Sequence, residues 1–383
     1  ELSGGEKIKF FLLKELMKEP TLLLLDEPSN DLDLESLIML ERFISECDIP
    51  VIFVSHDERL LARCSDTVIH FEQLIHKSRA VHSIASLNYE DYVRRREKQT
   101  QMAKQERDAY EKKMRRYREL YNKVNSHLNK VSRQDPSAGK NLKDKMRQVK
   151  SQGRRYEREK EEMTQKPVTE DPIDISFDED IYLDNKREVL SLRLPELRAG
   201  SNVLSRNVKL DIRGPEKICI IGRNGCGKTT LLKRAAPELR KNNINYACMP
   251  QNYDDKLDLK RSPVEFLTRD HSKAEHTRIR SCLGSLNFTP EEMLRPVKSL
   301  SGGQKAKLYF AAMIFSRAEF LLLDEPSRNL SPLSGPEIRQ ALTDYSGGIL
   351  CVSHDRALIE AVFDKVLELR EDGLHYVNLK EIE

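Results

Sequence analysis

Three short segments of this 383-residue chain occur twice, and each second copy lies 298 positions after the first. Leu2-Ser3-Gly4-Gly5-Glu6 returns as Leu300-Ser301-Gly302-Gly303-Gln304, Leu25-Asp26-Glu27-Pro28-Ser29 returns as Leu323-Asp324-Glu325-Pro326-Ser327, and Val54-Ser55-His56-Asp57 returns as Val352-Ser353-His354-Asp355. Chance matches would not keep one register over three segments, whereas a duplicated domain does. The sequence therefore predicts two related domains in tandem.

A phosphate-binding loop occurs in the second copy, where residues 222–229 fit the pattern G-x-x-x-x-G-K-[ST] in full. The loop glycines, which allow the main chain to approach phosphates, are Gly222, Gly225 and Gly227. Backbone N–H groups and the dipole of the following helix converge there on an anion. Lys228 can place its charge on the β- and γ-phosphate oxygens, and the Thr229 hydroxyl can hold Mg²⁺. We therefore expect ATP and Mg²⁺ as ligands.

The first copy shows no such loop, because the same offset places it before Glu1. Since the first residue is Glu rather than Met, we expect the chain to be truncated at its N-terminus and the first domain to fold poorly by itself. The second copy continues past His354 to a last predicted strand at Val366 to Leu369, so we expect its C-terminus to be complete.

Two carboxylates end a predicted buried strand in each copy. Asp324 and Glu325 follow the apolar run 320–323, and Asp26 and Glu27 follow the corresponding run of the first copy. One carboxylate at such a strand end can bind a metal, while the next can orient or deprotonate an attacking water, as phosphoryl transfer requires. The pattern favours catalysis over a solvated turn because it accompanies a phosphate loop.

A histidine follows the next predicted strand in each copy. His354 comes after the apolar run 349–352, and His56 comes after Val51 to Val54. A single histidine is usually a surface or core residue, but the identical placement of these two favours contact with a γ-phosphate.

Short apolar runs that alternate with helical segments predict an α/β fold. Leu22 to Leu25 and Val51 to Val54 predict strands buried on both faces of a parallel sheet. The further strands and the helix predicted in the second copy are Ile173 to Leu183, Leu204 to Ile212, Lys217 to Ile221 and the helix Thr229 to Arg234.

The segment between the copies is highly charged and repeats apolar residues at heptad spacing. Asn88 to Lys166 holds 24 Lys and Arg against 13 Asp and Glu, an excess of +11 in a chain of net charge +3. The two stripes are Tyr110, Met114, Tyr117, Tyr121, Val124, Leu128 and Val131, then Leu142, Met146, Val149, Gly153, Tyr156, Lys160 and Met163. A turn-forming string at 135–139 separates them, which predicts two antiparallel helices in a projecting coiled coil.

We therefore predict an α/β chain with two phosphate-loop NTPase domains, the first incomplete, joined by an antiparallel helical hairpin. The expected boundaries are 1–81 for the C-terminal part of the first domain, 82–171 for the hairpin with a linker at Pro167 to Pro172, and 172–383 for the second domain. A cytoplasmic location is expected, and no apolar stretch reaches the roughly 20 residues of a membrane span. Seven scattered cysteines without a C-x-x-C pair also favour a reducing compartment.

These motifs resemble those of the ATP-binding cassette (ABC) superfamily over nearly all of the chain outside the hairpin. The resemblance implies one functional element of each kind per cassette: the signature loops Ser3-Gly4-Gly5 and Ser301-Gly302-Gly303, the catalytic glutamates Glu27 and Glu325, and the switch histidines His56 and His354. It also implies that Gln251 belongs to a glutamine loop. In this family two cassettes pair head to tail, so that each ATP lies between one phosphate loop and the opposite signature loop.

Carried onto this chain, the resemblance implies two unequal nucleotide sites. One joins Ser3, Gly4 and Gly5 to Gly222, Asn224, Gly225, Gly227, Lys228, Thr229, Thr230, Gln251, Asp324, Glu325 and His354. The other joins Asp26, Glu27 and His56 to Ser301, Gly302 and Gly303, and its phosphate loop is not in the chain. The implied metal ligands are Thr229, Gln251, Asp324 and Asp26. An aromatic residue to stack on adenine is not evident.

The charged hairpin resembles the interdomain linker of the ABC-F subfamily, whose members are translation factors that act on the ribosome. A basic arm suits ribosomal RNA, because Lys and Arg neutralise phosphates. The expected backbone contacts are Arg94 to Arg96, Arg115, Arg116, Arg154 and Arg155, and the expected tip is Ser132 to Lys140. A charged coiled coil that touches only protein is the alternative for this segment.

Three functions remain open from the sequence. The leading one is an ATPase that acts on the ribosome, with antibiotic-resistance ribosome protection as a variant of it. The second is the ATPase subunit of an exporter whose membrane domains are separately encoded, and the third is a scaffold that binds nucleotide without turnover. Ser29-Asn30-Asp31-Leu32-Asp33 becomes Ser327-Arg328-Asn329-Leu330-Ser331 in the second copy, so the two sites are expected to differ in rate or coupling.

Overall fold

The computed structural model describes residues 4–30, 32–74, 79–131, 136–162, 177, 181–255, 257–270 and 272–378. The chain forms two compact units. One comprises Glu1–Ser65 with Glu170–Glu383, and the other comprises Asp66–Thr169. No helix within these described ranges is both long enough and apolar enough to cross a membrane.

Within its described residues, the first repeat contributes three helices and two strands to the first unit. They are α1 (Gly4–Leu16), β1 (Leu23–Asp26), α2 (Leu34–Ser45), β2 (Val51–Val54) and α3 (Glu58–Cys64). β1 and β2 pair in parallel, with Asp26 opposite Val54. α2 and α3 each begin after an aspartate, Asp33 or Asp57, whose side chain accepts hydrogen bonds from backbone N–H groups of the first turn. The predicted alternation of helices and strands is confirmed.

The prediction that β1 and β2 are buried on both faces is wrong. Leu23 is buried, but Leu24, Ile52 and Val54 are 68%, 49% and 57% exposed. Successive side chains of a strand point to opposite faces, so one face of this pair is covered and the other is open. In the part of the chain that the structure describes, β1 and β2 have only each other as strand neighbours.

In its described residues the second unit contains an antiparallel pair of strands and two long helices. They are β3 (Val68–Leu74), β4 (Arg79–Ala85), α4 (Tyr89–Val131) and α5 (Pro136–Glu162). Contacts between the helices run in opposite order along the two sequences, since Lys113 pairs with Glu159 while Tyr117 contacts Tyr156 edge to face. The predicted antiparallel helix pair is confirmed, whereas the antiparallel pairing of β3 with β4 was not predicted.

Packing between α4 and α5 explains why a glycine, Gly153, occupies one of the predicted heptad positions. Val124, Met146 and Val149 form the buried core between the two helices. Gly153 lies under the ring of Tyr117, because a Cβ atom at Gly153 would come within 2.7 Å of the ring carbon Cζ. The side chains of Leu128, Val131, Lys160 and Met163 lie outside the described residues, as do residues 132–135 of the predicted tip and the predicted linker Pro167 to Pro172.

Arg96, one of the predicted RNA contacts, is turned into the second unit rather than toward solvent. This side chain is only 9% exposed, and its guanidinium donates a hydrogen bond of 2.9 Å to the Tyr92 hydroxyl. It also lies 2.8 Å from Nδ1 of His70, which itself lies 2.7 Å from the Tyr92 hydroxyl. Arg96 therefore links α4 to β3, because its charged group is used inside the unit.

The second repeat forms a six-stranded sheet and a separate antiparallel pair. Its strands are β5 (Glu188–Ala199), β6 (Asn202–Arg213), β7 (Lys217–Ile221), β8 (Tyr246–Met249), β9 (Phe320–Asp324), β10 (Gly348–Val352), β11 (Lys365–Arg370) and β12 (Gly373–Val377). Its helices are α6 (Lys228–Lys241), α7 (Pro263–Leu267), α8 (Lys273–Ser285), α9 (Gly302–Ser316), α10 (Gly335–Asp344) and α11 (Arg356–Val362). β5 pairs with β6, and the large sheet has the order β12-β11-β7-β10-β9-β8.

Most strands predicted in this repeat are confirmed. β7 coincides with the prediction, and β6, α6 and β11 contain the predicted segments, whereas β5 and β12 were not predicted. The predicted strand Ile173 to Leu183 is wrong in its described part, because 181–183 pairs with no strand. Its apolar residues serve as separate anchors, since Ile181 packs into one core cluster and Leu183 into another.

The parallel part of the large sheet brings the chemical motifs to one edge. β8, β9, β10, β7 and β11 are mutually parallel, and β9 and β10 are buried along their whole length. The residues that follow β7, β9 and β10 therefore emerge beside each other, which is where open α/β sheets bind ligands.

Candidate nucleotide-binding site

The loop between β7 and α6 requires glycine for its backbone conformation. Gly222, Gly225 and Gly227 have φ angles of +143°, +81° and +109°, which L side chains rarely adopt. At Gly222 a Cβ atom would also come within 2.7 Å of the carbonyl oxygen of Leu369. Gly227 is the N-cap residue of α6, so the loop runs directly into the helix N-terminus. The sequence thus encodes an anion cradle at this point.

Lys228 supplies the positive charge of this cradle. Its side chain is 8% exposed, and its Nζ donates hydrogen bonds of 2.7 and 3.0 Å to the carbonyl oxygens of Gly222 and Arg223. The ammonium is therefore held against the loop backbone rather than in solvent. A buried cation needs anionic or hydrogen-bonding partners, which makes this position suited to phosphate oxygens.

Asp324 and Thr229 present oxygen atoms next to this charge. Asp324 ends β9, is 4% exposed and is hydrogen-bonded to the Thr229 side chain. Burial raises the pKa of Asp324, while the Thr229 hydrogen bond and the charge of Lys228 oppose that rise. A carboxylate and a hydroxyl, with the amide of Gln251 on the same cavity wall, are the oxygen ligands that Mg²⁺ takes when it keeps several waters.

Glu325 is held in an uncommon backbone conformation that its counterpart shares. The φ angles of Glu325 and Glu27 are +52° and +46°. In each repeat the glutamate N–H donates a 2.9 Å hydrogen bond to the last residue of the neighbouring strand, Val352 or Val54. Burial raises the pKa of Glu325 to about 8, against the lowering effect of Lys228. The carboxyl group is thus a base poised near neutral pH.

His354 faces Glu325 from the end of β10. Its backbone N–H donates a 3.3 Å hydrogen bond to Oε2 of Glu325, and its Nε2 lies 3.6 Å from Oε1. Both ring nitrogens are inaccessible to solvent and make no hydrogen bond within the described part of the chain. Burial, followed by the charge of Lys228, lowers the pKa of His354 to about 3, so the ring is neutral. His56 is more exposed and lies 3.1 Å from Glu27.

These groups line one cavity of about 530 Å³. Of the predicted site residues, it is lined by Asn224, Gly225, Gly227, Lys228, Thr229, Thr230, Gln251, Asp324, Glu325, His354 and His56. The wall also includes Ser29, Asn30, Leu32, Leu37 and Asp57 of the first repeat. Asp33 accepts a 3.4 Å hydrogen bond from the N–H of Asn224, so the start of α2 contacts the phosphate loop.

Neither signature loop is among the described residues that line this cavity. Ser3 lies outside the described residues, and only the backbone of Gly4 and Gly5 is described, at the start of α1. Ser301 caps α9 in a reciprocal pair with Gln304. Gly302 and Gly303 pack against Asn329, where a Cβ atom on Gly303 would lie 2.7 Å from the Asn329 carbonyl oxygen.

Sequence reasoning missed part of the cavity wall. Ala199 and Leu204 line it from β5 and β6, and Leu204 approaches Gly227 closely. No motif marks these residues, because they reach the loop only through the β5–β6 pair. They form an apolar surface beside the phosphate loop, and the described lining residues of the cavity include no Phe or Tyr side chain.

The chain is similar to known proteins over its whole length. A family model described as ABC transporter matches residues 205–328. The ribosome protection protein VmlR of Bacillus subtilis is 30% identical over 390 residues, which cover 98% of this chain and 69% of that protein. ABC transporter F family member 2 of Arabidopsis thaliana is 29% identical over 381 residues, 97% of this chain and 53% of the relative.

A solved structure shows the same fold. The archaeal ribosome recycling factor aABCE1, crystallised with the ribosomal stalk protein aP1, superposes with a TM-score of 0.57 at 20% identity, over 98% of this chain and 63% of that chain. The chain spans about half the length of several curated relatives that it matches. By its similarity to F-family members and by its cassette fold, this chain belongs to the ABC-F subfamily of ATP-binding cassette proteins.

Proposed function

We propose that this chain hydrolyses ATP in the cavity at the carboxyl edge of the sheet and that the protein acts on the ribosome as a translation factor. The observation that carries the first part is the convergence of Lys228, Asp324, Glu325 and His354 on one cavity of about 530 Å³. A solvated turn would not bury a carboxylate, a cation and an unbonded imidazole together.

The phosphate end of the nucleotide belongs at the loop. Backbone N–H groups of 222–229 and the N-terminus of α6 bind its oxygens, and Lys228 turns its ammonium toward them. Thr229, Asp324 and Gln251 would hold Mg²⁺, which neutralises charge on the phosphates when bound. Ala199 and Leu204 offer an apolar surface for the adenine ring of the nucleotide.

Glu325 serves as the general base in this proposal. Its ionised carboxylate accepts a proton from water as the water oxygen bonds to the γ-phosphorus, and the bond from that phosphorus to the ADP oxygen breaks. His354 is neutral, so it can donate a hydrogen bond from one ring nitrogen to a phosphate oxygen without adding charge. The N–H of His354 already holds Oε2 of Glu325 and thereby orients the base.

Pairing of the two cassettes completes the proposal. Ser3, Gly4 and Gly5 would cover the nucleotide held by Lys228, while Ser301, Gly302 and Gly303 would cover a second one beside Asp26, Glu27 and His56. The contacts of Ser29, Asn30 and Asp33 with the phosphate-loop cavity support this arrangement. We keep 1–81, 82–171 and 172–383 as the proposed functional division.

The hairpin is the proposed contact with ribosomal RNA. Its exposed arginines, which can neutralise phosphates, are Arg94, Arg95, Arg115, Arg116, Arg154 and Arg155. The similarity to the ribosome protection protein VmlR supports this role over membrane export, and we propose a cytoplasmic location with it. The similarity to a ribosome protection protein also makes drug protection a second candidate, which drug susceptibility of cells expressing the protein would test.

Two measurements test the proposal. Phosphate release from ATP should require Lys228 and Glu325, so Glu325→Gln should abolish turnover, whereas Glu216→Gln, which alters an exposed ion pair of the same cassette, should not. Glu325→Gln should also increase ATP-dependent cosedimentation with ribosomes, because the nucleotide stays bound. Equal phosphate release by wild type and Glu325→Gln would reject the ATPase, and no ATP-dependent enrichment would reject the ribosomal role.

A further inference from the structure

Two ion pairs whose residues do not line the nucleotide cavity join the first repeat to the second. Glu58 of α3 receives hydrogen bonds of 2.9 and 3.0 Å from the two terminal nitrogens of Arg339 in α10. Arg356 of α11 contacts both carboxylate oxygens of Glu41 in α2. The second pair is buried, with the Arg356 and Glu41 side chains 1% and 7% exposed. The first is partly buried, with Glu58 and Arg339 at 24% and 17%.

The duplication relates these two pairs to each other. Arg339 lies 298 positions after Glu41, and Arg356 lies 298 positions after Glu58. The position of Glu58 and Arg356 therefore contacts the position of Arg339 and Glu41 in both pairs, and each repeat supplies each position once. Their charges, however, are sorted by repeat, since the first repeat is acidic at both positions and the second is basic at both.

We propose that this four-residue charge pattern, Glu41, Glu58, Arg339 and Arg356, makes the first cassette pair specifically with the second and prevents either cassette from pairing with its own kind in another copy of the chain. The inference rests on the cassette pairing of the proposed function and adds the surface that selects the partner. The partner that this surface selects is a cassette that carries the opposite charges at the two positions.

The selectivity follows from what each alternative pairing would bury. If two first cassettes met in this geometry, Glu58 would face Glu41, and if two second cassettes met, Arg356 would face Arg339. Like charges brought together out of water repel each other strongly, and an unpaired buried charge is unfavourable by itself. Arg63 also contacts Glu41 at 3.0 Å, but it belongs to the same cassette and cannot distinguish partners.

A third ion pair points the same way. Arg59 of α3 contacts Glu360 of α11 across the same surface. The positions related to them by the duplication are Ala357 and Ala62, which carry no charge. This pair therefore forms only when a first cassette meets a second one. A pattern with one acidic and one basic residue in every cassette would have allowed any pairing, whereas the observed sorting allows one.

The test exchanges the pattern without changing the net charge of the full chain. In the double variant E58R/R356E, Arg339 faces an arginine and Glu41 faces a glutamate within one chain, while each cassette becomes complementary to its own kind. In the fourfold variant E41R/E58R/R339E/R356E, both pairs between the repeats keep opposite charges with the signs reversed. All proteins compared carry Arg63→Ala, so that an arginine at position 41 meets no like charge within its own cassette. Labels placed by unnatural amino acids at exposed Lys18 and Asp372 report whether the cassettes of one chain are paired. Sedimentation velocity over a concentration series reports association between chains.

In the double variant we expect the fraction of molecules with the paired label distance to fall roughly tenfold or more. We also expect this variant to self-associate as its concentration rises. The fourfold variant should restore the paired distance and remain unassociated. A double variant that keeps the wild-type distance would overturn the inference. So would a fourfold variant that fails as the double variant does, because the positions would then act through shape rather than charge. The matched control is R193D/D211R, which exchanges the two residues of an exposed ion pair within the second cassette. It should change neither the label distance nor the association between chains.

A nucleotide-binding measurement separates this inference from the proposed function. Binding of a fluorescent ATP analogue with Mg²⁺ is recorded for each variant, because none of the four residues lines the cavity. Absence of binding by the wild type would reject the proposed ATPase while leaving the label distances to decide the charge pattern. Normal binding and turnover with unchanged label distances in the double variant would reject the charge pattern alone.

Discussion

The pH dependence of hydrolysis tests the role of Glu325. Burial raises its pKa to about 8, and a general base acts in its ionised form, so activity should rise with pH through that value. With a pKa of about 8, roughly a tenth of the carboxyl groups are ionised at pH 7 and roughly nine tenths at pH 9. We therefore expect kcat/KM, which reports the free enzyme, to rise about tenfold between pH 7 and pH 9.

His354 should leave no mark on the same profile. Its pKa of about 3 keeps the ring neutral throughout the assay range, so no second rise is expected near pH 6.5. The measurement is steady-state phosphate release by the full chain from pH 6 to 9.5 at constant ionic strength and saturating Mg²⁺. A flat profile would contradict the assignment of Glu325 as base. A rise near pH 6.5 that disappears in His354→Asn would transfer that role to the histidine.

Further perturbations address stability and the hairpin. The pKa of Glu325 is higher in the folded than in the unfolded chain, so ionisation of this group lowers the stability of the fold as pH rises toward 8. Glu325→Gln should therefore raise the thermal midpoint at pH 8 and have little effect at pH 4.5. An equal shift of the midpoint at both pH values would contradict this. Gly153→Leu should lower stability by about 1–3 kcal/mol in denaturant unfolding, since a larger side chain cannot share the space beneath the Tyr117 ring, and an unchanged midpoint would argue against that packing. Arg116→Ala should weaken ribosome binding and reduce its salt dependence. Arg96→Ala should instead lower stability by about 1–3 kcal/mol, because hydrogen bonds are lost. Weaker ribosome binding by Arg96→Ala, with lower stability of Arg116→Ala, would show that Arg96 is the RNA contact.

Local patterns in the sequence predicted the catalytic edge of the sheet well. β7 and β2 lie where short apolar runs end in polar turns, and the phosphate loop has the positive φ angles that its glycines imply. The in-register duplication predicted that Glu27 and Glu325 follow equivalent strands, and both have positive φ and donate a backbone hydrogen bond to the neighbouring strand. Such features depend on residues close in sequence or on one repeated motif.

Features that depend on long-range packing were not predictable in the same way. The exposure of Leu24 and Val54 depends on which strands flank β1 and β2, and the strand sequence itself carries no such information. Arg96 looked like a surface cation because its run is basic, yet the turn of α4 places it against His70. Leu204 reaches the phosphate loop only through the pairing of β5 with β6.

Binding of ATP with Mg²⁺ to the full chain, measured by isothermal titration calorimetry on wild type and Lys228→Ala, addresses the nucleotide site itself. We expect the wild type to bind one nucleotide, since the chain holds one complete phosphate loop, and the variant to lose affinity by roughly tenfold or more, because a charge-assisted phosphate contact is removed. Equal affinity of the two proteins, or no binding by either, would contradict a nucleotide site built around Lys228.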